Sequence, residues 1–74
     1  MTPQQAIEVL ETVIDASISD PAKRETLKAE LIRVFEERHQ VPAKGILADC
    51  EKFGDRTISP EIGELIKEVC FYYV

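Results

Sequence analysis

Three dipeptides punctuate this chain: Thr2-Pro3, Asp20-Pro21 and Ser59-Pro60. Each sets a residue whose side-chain oxygen accepts from a free backbone N–H directly before a proline. Proline at the first helical position loses nothing by its missing donor, and its fixed φ already suits the helix. Helices are therefore expected to start at Pro3, Pro21 and Pro60. Gln5, three residues after Thr2, completes a capping box at the first of them. A fourth boundary comes from Val41-Pro42, because the residue before proline disfavours the α region.

Helical periodicity fills the intervals. The segment of about 3 to 18 carries Ala6, Ile7, Val9, Leu10, Val13, Ile14 and Ile18 over half its circumference, an arc wide enough for a central helix with several neighbours. The segment 21 to 39 sets Leu27, Leu31, Val34 and Phe35 on one face, with Arg24 and Arg38 at its ends free to snorkel, and reads as the most conventionally amphipathic of the four. A short helix of 43 to 53 aligns Ala43, Ile46, Leu47, Cys50 and Phe53, and Gly54 is placed as its left-handed terminus. The last segment, 60 to 72, lines up Ile62, Leu65, Ile66, Val69, Cys70 and Tyr73, with Ile58 as a hydrophobic staple before the Ser59 cap. Ser19-Asp20 is long enough only to reverse the chain, so the first two helices are expected to be antiparallel. The reading is an all-α, small compact four-helix bundle forming a single domain over residues 1–74.

At 74 residues, folding buries only ~60% of the surface that the unfolded chain exposes, so stability is thin and additional support has to be looked for. Hydrophobic residues make up 45% of the chain, which argues against disorder. No stretch approaches the ~20 apolar residues of a membrane span, and Met1-Thr2-Pro3-Gln4 has no basic start to a leader. The expectation is a soluble, cytoplasmic protein.

The net charge of −5 is unevenly spread. Glu8, Glu11, Asp15 and Asp20 stand in the first 22 residues with no base among them, and Glu61, Glu64 and Glu68 face only Lys67 in the last sixteen. Acid is concentrated in the first and last helices. Such a surface is a poor match for phosphate, whose recognition depends on clustered Lys and Arg.

Candidate chemistry is sparse. Cys50 and Cys70 both fall on apolar stripes and are expected to be buried free thiols. In an antiparallel pairing of the third and fourth helices their axial offset is on the order of 10 Å, beyond the ~7 Å a disulfide spans. Glu36 and His39 have the Glu-x-x-His spacing of di-iron bundles, but they point away from the apolar face and no second such pair exists. No metal or cofactor is expected. With one histidine and no nucleophile beside a base, neither is catalysis. A helix-turn-helix nucleic-acid binder is disfavoured because Gly54 to Ser59 exceeds the usual turn and the would-be recognition helix opens with Glu61 and Glu64.

Two families share this outline of a small acidic helical protein. Acyl carrier proteins require Asp-Ser-Leu at the start of the second helix, where Ser19-Asp20-Pro21 stands instead. Colicin-type immunity proteins resemble the chain in size, acidity and an adjacent tyrosine pair beside acid. Their pair lies mid-chain beside a short third helix, whereas Tyr72-Tyr73 comes at the end. Only the logic carries over, acid steering a basic partner and tyrosine anchoring it.

The run Val69-Cys70-Phe71-Tyr72-Tyr73-Val74 holds three of the five aromatic residues and no charge. Exposed, it is an aggregation hazard that something must cover. If the last helix continues through it, Tyr73 joins the core, while Phe71 emerges among Glu61, Glu64 and Lys67 with Tyr72 beside it. The favoured expectation is instead that the helix ends near residue 69 and residues 70 to 74 fold back against the first helix. Functionally, the chain reads as a small non-catalytic protein-binding module, an adaptor, inhibitor or immunity-like regulator of bacterial or phage type. Its expected site comprises Glu8, Glu11, Asp15, Glu61, Glu64, Glu68, Phe71 and Tyr72, and its expected partner is a protein with a basic surface. The alternative is a homo-oligomeric scaffold, a homodimer in the simplest case, with the aromatic segment as its seam.

Overall fold

The computed structural model describes all 74 residues and contains four helices: α1 (Pro3–Ser17), α2 (Pro21–Arg38), α3 (Ala43–Phe53) and α4 (Pro60–Tyr73). Their starts follow the cap chemistry. At α1, Thr2 Oγ1 accepts from the Gln5 N–H at 3.1 Å while Gln5 Oε1 accepts from the Thr2 N–H at 2.8 Å. Asp20 Oδ1 accepts from the Ala22 N–H at 3.0 Å, and Ser59 Oγ from the Ile62 N–H at 3.3 Å. Only α3 lacks a side-chain cap, and Pro42 stands at its entrance.

The helices run alternately up and down. Ser19-Asp20 turns α2 back along α1, and α3 returns so that the Asp55 N–H after it donates to the Ser17 carbonyl at 2.9 Å. Then α4 descends beside α1 until the Tyr73 hydroxyl donates to the Met1 carbonyl at 3.4 Å. Helix α1 packs on all three others, whereas α2 and α4 do not touch. The bundle is thus a flattened rhombus with α1 and α3 across its short diagonal, 30 × 25 × 16 Å overall.

That arrangement accounts for the wide apolar arc of α1. Ala6, Ile7, Leu10, Val13 and Ile14 are buried, joined by Leu27 and Leu31 of α2, Ala43, Ile46 and Cys50 of α3, and Val69 of α4. Each large aliphatic side chain so enclosed contributes about 1.5–3 kcal/mol relative to exposure. Truncating Leu10, at the centre of the arc, would leave a cavity costing about 2–5 kcal/mol.

Several expectations are corrected. Helix α2 is the longest but fully buries only Leu27 and Leu31; Ile32 and Phe35 lean on the core, and Val34 stays half-exposed away from it. With no α4 neighbour, its apolar face is narrower than the wheel implied. Phe53 leaves the core stripe at the end of α3 and is 38% exposed, with Lys23 Nζ 4.2 Å from its ring centroid. Gly54 is extended (φ −66°, ψ 134°), so glycine is needed there for close approach and not for a left-handed turn. A Cβ on Gly54 would lie 2.4 Å from the Cys50 carbonyl oxygen.

Ile58 is no staple, because the position it would clasp is Gly63, which has no side chain; it remains 41% exposed. Both cysteines are free, yet only Cys50 is buried while Cys70 is half-buried. Burial, and then the neighbouring Asp49 carboxylate, push the Cys50 thiol from an ordinary 9.0 up to about 11. Ser17 lies inside the last turn of α1, buried, with a hydroxyl that has no hydrogen-bond partner. No helix is long and apolar enough to cross a membrane.

Candidate protein-binding face

The position of the aromatic segment depends on where α4 ends, and here the favoured expectation fails. Helix α4 runs to Tyr73, and the Val74 N–H closes it by donating to the Cys70 carbonyl at 3.0 Å. Residues 70 to 74 do not fold back. Their β propensity is overridden because helical spacing puts Val69 and Tyr73 on the same side, one buried in the core and the other packed against it. The helix that seats Tyr73 also turns Phe71 outward.

Phe71 is 81% exposed and Tyr72 52% exposed, and the two rings meet edge to face at 5.1 Å between centroids. Around them on the outer surface of α4 are Glu61, Glu64 and Glu68, all exposed. Lys67 Nζ reaches Glu64 at 3.4 Å, but both side chains are about three-quarters exposed, a setting in which a pair contributes little. Glu61 and Glu68 have no cation within ion-pair distance, and Phe71 is not among the residues packed on the core.

The acids of α1 do not stay together. Glu8 lines a shallow groove of about 400 Å³ between α1 and α4, with Glu68 on the opposite side and Met1, Val9 and Leu65 between them. Glu11 is half-buried and lines no groove. Asp15 turns to α2, where Lys28 Nζ lies 2.7 Å from its carboxylate. Of the expected site, then, Glu8 and Glu68 share this groove, Phe71 and Tyr72 are in ring contact, and Glu61 and Glu64 are exposed along the same helix, while Glu11 and Asp15 stand apart. Helical spacing sets Glu8 and Asp15 on one side of α1 two turns apart, and the two ends of that stripe meet different neighbours.

Leu65 was assigned to the core, yet it lies on the floor of this groove. Its signal is the spacing to Glu68 and Tyr72, three and seven residues on, which places it on their side of α4. A separate polar cleft unites Asp15, Arg24, Glu25, Lys28 and Arg56 around Pro21; Arg56 donates to the Asp15 carbonyl at 3.1 Å. Glu36 and His39 are both exposed, His39 being the left-handed residue (φ 55°) that ends α2. No group of three or more His, Cys, Asp or Glu side chains gathers to hold a metal ion.

No protein family, curated protein or solved structure matches this chain.

Proposed function

We propose that the protein is a small non-catalytic binding module that engages a partner protein through the outer face of α4 and the adjoining edge of α1. The observation that carries this reading is Phe71, 81% exposed on an ordered helix and bordered by carboxylates. Leaving a phenylalanine in water forgoes ~1.5–3 kcal/mol of burial, and the helix that exposes it is held in register by Tyr73. An aromatic pair beside unpaired acid supports a contact in which Phe71 and Tyr72 are buried at the centre, while Glu8, Glu61, Glu64 and Glu68 meet Lys and Arg at the rim. The two unpaired thiols agree with a reducing, cytoplasmic setting.

Self-association through this same face is disfavoured by its charge. Two copies meeting there would set carboxylate against carboxylate, which costs binding energy and slows encounter. A basic partner relieves that repulsion. Steering by these acids acts mainly on the association rate and weakens as salt shortens the screening length.

The test is affinity capture from the source cell on the immobilised chain, beside a Phe71→Ser/Tyr72→Ser variant and a Glu8→Gln/Glu64→Gln/Glu68→Gln variant. The expected result is one basic protein held in stoichiometric amount, lost with the aromatic variant. With the glutamine variant it should bind more slowly and with a flatter salt dependence. Equal capture by all three chains refutes the reading.

A further inference from the structure

On the other side of α4 lies the most apolar opening of the molecule, a groove of about 500 Å³ between α3 and α4. Leu47, Ala48, Ile58, Ile66 and Cys70 form its walls, and Lys44 and Glu51 stand at its ends. Both charged residues are on α3, seven apart, so they project on one side of the helix two turns from each other. Neither has an ionic partner within the chain, whose four ion pairs lie elsewhere. Midway between them are Leu47 and the small, exposed Ala48.

We infer that this groove is a homodimer seam, in which two copies cross at Leu47 and Ala48 about a twofold axis. With the twofold axis perpendicular to α3 the same patch meets itself antiparallel, so whatever lies at one end of α3 faces the opposite end of its counterpart. Lys44 of each copy then meets Glu51 of the other, each ~5 Å along the helix axis from the crossing point. Acid-rich faces such as that of Phe71 repel their own kind; this one is self-complementary in charge. Ala48 lets the two backbones approach, and Leu47, Ile58 and Ile66 lose contact with water. The seam is small, so the dimer is expected to be weak and reversible. It leaves Phe71 and Tyr72 free, since neither lines this groove.

Sedimentation equilibrium of the intact chain, from about 0.01 to 1 mM, reads the association directly. The apparent mass should rise from the 8.4 kDa of one chain toward twice that value. Lys44→Glu or Glu51→Lys alone sets like charges together at both symmetric contacts and should weaken the dimer by about tenfold. The Lys44→Glu/Glu51→Lys double variant restores opposite charges and should return to within about threefold of the original. Ala48→Glu, an exposed position checked for retained helix by circular dichroism, should leave a monomer. A chain that stays monomeric throughout, single variants that dimerise normally, or a double variant as weak as the singles overturns the inference. So does a dimer that survives Ala48→Glu but is lost with Phe71→Ser, since that outcome assigns the seam to the aromatic face.

Discussion

Asp55 holds Ser19 by two bonds across 36 residues of sequence: the Ser19 N–H donates to Oδ1 at 2.9 Å and the Ser19 hydroxyl donates to Oδ2. The α3–α4 connection is thereby tied to the α1–α2 turn, alongside the bonds from the Asp55 and Arg56 N–H groups to the Ser17 carbonyl.

The Ser19 hydroxyl first, and the Ser19 N–H next, hold the Asp55 carboxyl below its ordinary value. Because the folded pKa is the lower one, the stabilisation is complete above the unfolded value of about 4. It fades as pH falls through the folded value. Thermal melts of the native chain and Asp55→Ala should therefore differ at pH 7 and converge toward pH 2. A melting difference that stays constant over this range would show that the tie does not depend on the charge.

Gly54 and Gly63 should respond in opposite ways to alanine. At Gly54 the new Cβ would meet the Cys50 carbonyl oxygen at 2.4 Å, a backbone atom that cannot step aside, whereas at Gly63 there is nothing within 4 Å. Gly54→Ala is expected to cost on the order of 1–3 kcal/mol through strain. Gly63→Ala, inside α4, should gain about 0.5–1 kcal/mol from helix propensity. Urea unfolding of the two variants checks both signs in one experiment.

Ser17 is buried with its hydroxyl unpaired, so removing that oxygen should do no harm. Ser17→Ala is expected to be neutral or to stabilise by up to about 1 kcal/mol, since an unsatisfied buried hydroxyl is itself a penalty. A loss of more than 1 kcal/mol in the same unfolding assay would mean that the hydroxyl has a hydrogen-bond partner in solution.

The two thiols should differ in reactivity. Cys50 is buried and its pKa stands near 11, so at pH 8 it is overwhelmingly the unreactive thiol. Cys70 borders the α3–α4 groove. An aromatic disulfide reagent is expected to modify Cys70 first and Cys50 only as fast as the fold opens. In denaturant without reductant, both should react.

The helix starts were legible because a cap residue and a proline act through bonds within a few residues of each other. The central place of α1 was legible too, since no helix with one neighbour needs so wide an apolar arc. What escaped were features decided by a distant neighbour. Phe53 lies on the apolar stripe of α3, but Lys23 of α2 waits over its ring. Gly54 looked like a helix terminator, and its real constraint is the approach of its own backbone to the Cys50 carbonyl. Val34 fits its wheel, yet no α4 reaches across to cover it.

The candidate site divides in the same way. Given a helix that continues through the segment, helical spacing alone placed Phe71 among Glu61, Glu64 and Lys67 with Tyr72 beside it. Whether α4 reached them depended on the packing of Tyr73 against the core beside Val69, which only the assembled bundle provides. Asp15 was grouped with Glu8 by spacing, and only the position of Lys28 separates them.

The contact of Tyr73 with Met1 also sets an order of events. Of these four helices α1 is made before the other three, which must cover it, and its cover is finished by α4, made after them. Until residues 69 to 73 have been made, α1 offers part of its greasy flank to whatever surrounds the nascent chain. The bundle is therefore completed only once α4 has been made, and before then intermediates must rely on α2 and α3 to shield α1.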